Sequence, residues 1–77
     1  MFYKSQLEVS KVINELIDGY WNDEISEELL IKNTKKLIEY NKPKIIKNGD
    51  YTTVLKQKCG KRRLGVLSKI LEIIESR

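Results

Sequence analysis

Val9, Val12, Ile13, Leu16, Ile17 and Tyr20 recur at offsets of 0, 3, 4, 7, 8 and 11 residues, the spacing of one face of an α-helix. No other feature constrains the chain as much. A strand alternates with period two and would scatter these residues over both of its faces. Ser5 followed by Glu8 forms a capping-box pattern, so the spacing predicts a helix that begins just after Ser5. Gly19 and the cluster Trp21-Asn22-Asp23 predict its end near residue 20.

A second stripe follows in Leu30, Thr34, Leu37, Ile38 and Asn41, flanked by Leu29 and Ile31. Ser26 reads as its cap, with Glu27 and Glu28 in a first turn whose dipole favours negative charge, and Ile25 placed to staple onto Leu30. Pro43 disfavours helical geometry at Lys42 and predicts a stop near Asn41. Ile45-Ile46 then reads either as one turn of helix or as an extended anchor. Asn48-Gly49 is a turn signal and also the strongest hairpin dipeptide. Asp50 reads better as the cap of a following helix, and on that ground the hairpin is set aside. Tyr51, Val54, Leu55 and Lys58/Cys59 give a third helix closed by Gly60 in a left-handed cap, although Thr52-Thr53-Val54 is β-branched.

The fourth predicted helix runs from Lys61 or Arg62 to Glu75. Leu64, Val66, Leu67, Ile70, Leu71, Ile73 and Ile74 cover more than one stripe, so it should be buried on several sides, within its own domain or against a second chain. Gly65 is expected to mark a close helix crossing. The expectation is an all-α fold spanning residues 1–77 as one domain: a small bundle of three to four helices, its last two forming a helix-turn-helix-like hairpin, with no sheet beyond two short strands. The expected core is Val9, Val12, Ile13, Leu16, Ile17, Leu30, Leu37, Ile38, Val54, Leu55, Leu67, Ile70, Leu71 and Ile74. Truncating Ile13 or Leu71 to Ala is expected to cost about 2–5 kcal/mol.

With 77 residues there is room for one domain. No run approaches the roughly 18 apolar residues of a membrane span, and the N-terminus lacks the basic and apolar regions of a secretory signal. Cys59 is the only cysteine, which fits a reducing, cytoplasmic setting. Histidine is absent, removing the usual general base and the commonest metal ligand. With no phosphate-binding loop or nucleophile motif either, the expectation is a binding protein rather than an enzyme, without metal or cofactor.

Charge is distributed unevenly. Up to residue 39 there are five Lys against eight acids, and from residue 40 ten Lys and Arg against three acids. Such halves either serve different partners or attract each other, or the Lys excess simply coats a solvated surface. The densest stretch is Lys56-Gln57-Lys58-Cys59-Gly60-Lys61-Arg62-Arg63-Leu64. Its five cations, Lys56, Lys58, Lys61, Arg62 and Arg63, surround a Gly turn at a helix start. Free amides and the dipole attract phosphate there, while basic side chains weaken the helix. Arg62 and Arg63 suit bidentate contacts to phosphate. Replacing both by Ala is expected to leave the fold intact. Lys42, Lys44 and Lys47 extend the positive sign upstream.

Taking Gly60 as a turn glycine puts Leu55, Cys59 and Val66 on buried positions of a helix-turn-helix. Lys56 and Lys69 fall where that motif wants a small and an apolar residue, and the alternative is a helical hairpin with a solvated basic corner. Phe2, Tyr3, Tyr20 and Trp21 could stack on bases, but aromatics at helix ends more often close a small core. Cys59 reads as a buried structural thiol.

The string Lys47-Asn48-Gly49-Asp50-Tyr51-Thr52-Thr53, continued by Gln57 and by Cys59-Gly60-Lys61-Arg62-Arg63-Leu64, resembles a family of short uncharacterised proteins from Gram-positive bacteria. The resemblance covers most of the chain, and its distinctive part is the Gly-Lys-Arg-Arg turn. It implies a fold and a bacterial source and brings no activity or functional residues. Two functions stay open: a nucleic-acid-binding or regulatory protein acting through the basic turn, and a protein-interaction module, such as a homodimer through the C-terminal helix.

Overall fold

The computed structural model describes Tyr3 and residues 5–75. Three helices, α1 (Gln6–Trp21), α2 (Glu27–Ile45) and α3 (Thr53–Glu75), pack around one core, with a two-stranded antiparallel hairpin, β1 (Ile46–Lys47) and β2 (Asp50–Tyr51), between α2 and α3. The all-helical expectation therefore holds, as does its limit on strands. Phe2 lies outside the described residues.

Both predicted caps are present. Ser5 Oγ accepts the Glu8 N–H at 3.1 Å, and Ser26 Oγ accepts the Leu29 N–H at 3.1 Å. At its other end α1 closes in a Schellman arrangement. Glu24 N–H donates to Gly19 O at 2.8 Å and Asp23 N–H to Tyr20 O at 3.2 Å, with Asp23 at the positive φ this ending needs.

The core joins Val9, Ile13 and Ile17 of α1, Leu30, Leu37 and Ile45 of α2, and Leu55, Cys59, Leu67 and Ile70 of α3. Val12, Leu16, Ile38, Leu71 and Ile74 are half-buried against it rather than enclosed, because their stripes lie at the edge of the three-helix contact. Val54 is also half-buried. Burial pushes the Cys59 thiol above its ordinary pKa, as expected of an apolar site.

Two local expectations are corrected and one is met. The expected stop near Asn41 takes the form of a kink in α2. Helical geometry breaks there (φ −132°, ψ 22°), two residues before Pro43, then resumes for a turn that buries Ile45. The Asn41 side chain makes the break tolerable, since its Nδ2 donates to Leu37 O at 2.9 Å. Asp50 does not cap a helix. Asn48 and Gly49 both take positive φ (55° and 79°), the requirement of a type I′ turn, so Lys47 pairs with Asp50 and Ile46 with Tyr51. Asp50 instead accepts the Tyr51 N–H and pairs with Lys56, while Thr52 precedes α3 and donates its hydroxyl to Lys44 O at 2.8 Å. The Lys56 ammonium holds the Asp50 carboxyl below its ordinary pKa, helped by the Tyr51 N–H.

The second correction concerns the glycines of α3. Gly65 is exposed, and a Cβ added there would meet nothing within 4 Å beyond its own helix, so it marks no crossing. Gly60 breaks the helix with φ 77° and ψ 169°, a region essentially reserved for glycine and not the left-handed cap expected. Opposite responses follow along one helix. Gly65→Ala should raise stability by up to about 1 kcal/mol, because Ala is the better helix former and nothing obstructs its Cβ. Gly60→Ala should lower it by about 1–3 kcal/mol through backbone strain. Thermal denaturation of the two variants checks this, and equal signs would contradict it.

Candidate nucleic-acid interface

A polar stripe of α1 runs beside its apolar one. Asn14, Asp18 and Trp21 stand at i, i+4 and i+7, on the side that meets the kink of α3. Such a kink leaves helix carbonyls in need of outside donors. Asn14 Nδ2 donates to Lys58 O at 3.0 Å, and Arg63 Nη1 to Cys59 O at 3.4 Å. Asn14 Oδ1 is buried and takes no hydrogen bond.

Arg63 crosses to α1 as well. Its Nε and Nη2 donate to the two carboxylate oxygens of Asp18, each at 2.9 Å, a two-pronged pair that fixes the guanidinium plane. Both side chains keep part of their surface in water, so the pair contributes about 1 kcal/mol or less. Trp21, the last residue of α1, lies next to both arginines, with the Arg62 guanidinium 5.5 Å and the Arg63 guanidinium 5.9 Å from its ring centre. These are cation–π distances.

The five basic residues singled out in the sequence are thereby divided. Lys56 is exposed and paired with Asp50 on the hairpin. Arg63 is half-buried and committed to Asp18, so its removal takes away one contact between α1 and α3. Lys58, Lys61 and Arg62 are exposed and make no ion pair among the described residues. They flank Gly60 on one corner, where the chain turns away from its first helical arm.

The aromatic residues are divided too. Tyr3 and Tyr20 pack against the core as expected, and Tyr3 N–H donates to Asn41 Oδ1 at 2.9 Å. Trp21 does not close the core: it is 42% exposed. Sequence reading missed Asn14, and Asp18 as the partner of Arg63. The i, i+4, i+7 spacing and the opposite charge of the two halves were the available signals.

A shallow groove lies elsewhere, between α2 and the second arm of α3. Tyr20, Leu30, Ile31, Val66, Ile70 and Ile73 line it, with Glu27 and Lys69 at its edge. Among the described residues no three acidic or cysteine side chains gather as a metal site, and no helix is long and apolar enough to cross a membrane. The model of a family described as a conserved hypothetical protein matches residues 1–72. No curated protein and no solved structure matches the chain.

Proposed function

The chain belongs to that conserved hypothetical protein family, and we propose that it is a small nucleic-acid-binding protein that grips phosphates with Lys58, Lys61 and Arg62 at the kink of α3. The observation that carries this reading is the set of three exposed cations at the kink, without carboxylate partners among the described residues. Arg63 and Lys56 belong to the same patch but contribute less, since each already neutralises an acid.

The finer reading of the fold belongs to this proposal. Counted as separate helices, the two arms of α3 make a four-helix bundle with a helix-turn-helix-like hairpin. The joint is a single non-helical residue, Gly60, where that motif uses three or four. Phosphate contact at the corner therefore fits better than a recognition helix laid in a groove. A bacterial, cytoplasmic setting that keeps the buried Cys59 reduced is part of the same reading.

Binding through three phosphate contacts should give a slope of log affinity against log salt of about −3 on duplex DNA and about −2 on single strands. Arg62→Ala should flatten the slope by about one contact while leaving the Arg63–Asp18 pair in place. An unchanged slope would move the site elsewhere. The apolar groove between α2 and α3 favours a second reading, a homodimer through the C-terminal helix, which size-exclusion chromatography at rising concentration separates from the first.

A further inference from the structure

We infer that the exposed ring of Trp21 is a stacking platform for one base of a single-stranded nucleic acid whose backbone crosses the corner formed by Lys58, Lys61 and Arg62. This inference rests on the nucleic-acid reading above and adds the class of ligand. Trp21 is 42% exposed and stands apart from the core, so it has ring surface to offer that the half-buried Tyr20 beside it lacks.

Its surroundings suit the task. Arg63, locked on Asp18 by two hydrogen bonds, stands 5.9 Å from the ring centre and steadies one side of the indole. Arg62, 5.5 Å from the ring centre, is exposed and has no carboxylate to hold it among the described residues. Its guanidinium can leave the ring for a phosphate and give its place to a base, trading one weak contact for two. Lys58 is reached along the same seam, because its carbonyl accepts from Asn14, seven residues or about 10 Å before Trp21 on α1. Cations beside an exposed aromatic ring are the ingredients of sequence-tolerant single-strand binding. Asp23 and Glu24, both exposed just beyond Trp21, repel a backbone from the loop side and leave the α3 side as the approach.

Bases in a duplex have their faces already covered, so a stacking site discriminates against it. Aromatic stacking supplies about 5- to 150-fold in affinity per base.

Because Trp21 is the chain's one tryptophan, its fluorescence reports on this site alone. The experiment titrates the protein at low salt with a short mixed-sequence DNA strand, the matching RNA strand and the DNA duplex. Anisotropy of the labelled nucleic acid serves as a second readout. Saturable quenching by a single strand is expected, with about 5- to 150-fold weaker binding by Trp21→Ala, a smaller loss in Trp21→Phe, and weaker duplex binding without quenching. The DNA and RNA arms show which strand is preferred. If single strand and duplex bind alike and Trp21→Ala binds as the parent does, the platform is overturned while phosphate binding stands. Absence of binding to all three probes overturns both. Circular dichroism of Trp21→Phe, which keeps an aromatic ring, guards against misreading an unfolded variant.

Discussion

Ile13→Ala should lower the stability of the domain by about 2–5 kcal/mol, and Leu71→Ala by roughly half as much. Ile13 is 2% exposed and sits mid-way along the α1 stripe between Val9 and Ile17, both fully enclosed. Its truncation removes apolar contacts and leaves a space that neighbours on three helices cannot fill without breaking their own packing. Leu71 also packs against the core, but from the edge, where solvent already covers part of the side chain. A variant there loses less burial and leaves an opening rather than a cavity. A domain of this length has a total stability of about 4–12 kcal/mol, so Ile13→Ala approaches global unfolding at ambient temperature. Urea denaturation of the two variants measures the difference directly. Equal losses would mean that the last helix is enclosed as fully as α1, as it would be against a second chain.

The features legible in the sequence were local and periodic. Ser5 and Ser26 announced their helices because a capping side chain needs only the next three residues. The stripe through Leu30, Thr34, Leu37 and Asn41 marked the inward side of α2, polar members included, because burial follows the helical repeat whatever the residue type. Failures came where two local signals competed. Asn48-Gly49 asked for a hairpin and Asp50 for a helix cap; the turn won because two consecutive positive-φ positions suit Asn-Gly, while Thr52 was available to precede α3. A glycine's identity did not reveal whether it served conformation, as Gly60 does, or only left space, as Gly65 does. At the candidate site the sequence displayed the positive charge but not its neutralisation. Arg63 and Asp18 are 45 positions apart, and local spacing cannot say which of eight acids in the first half an arginine will reach. The exposed Trp21 was hidden for the same reason: its neighbours come from another helix.

The second large effect is expected at Asn41, a fully buried polar residue at the break in α2. Its carbonyl oxygen accepts the N–H of Tyr3 and its amide donates to Leu37 O, so one side chain ties the start of the chain to the kink that Pro43 imposes. Asn41→Ala removes both of these hydrogen bonds at once. Each backbone group left unpaired away from water costs about 1–3 kcal/mol, for about 2–6 kcal/mol over the two groups, with the lost side-chain volume added to that. Asn41→Asp separates the two contacts. As a carboxylate it still accepts from Tyr3 but presents a charge to the Leu37 carbonyl; protonated, it can donate there as the amide does. Burial favours the neutral acid, so its folded-state pKa lies above the unfolded value of about 3.9. A raised folded-state pKa means stability that is fully present below the unfolded value and lost as pH rises through the folded one. Asn41→Asp should therefore approach the parent in acid and fall well below it at neutral pH, while Asn41→Ala stays destabilised at both. Urea denaturation at two pH values measures this. A pH-independent Asn41→Asp, or an Asn41→Ala within about 1 kcal/mol of the parent, would show that water already reaches the kink.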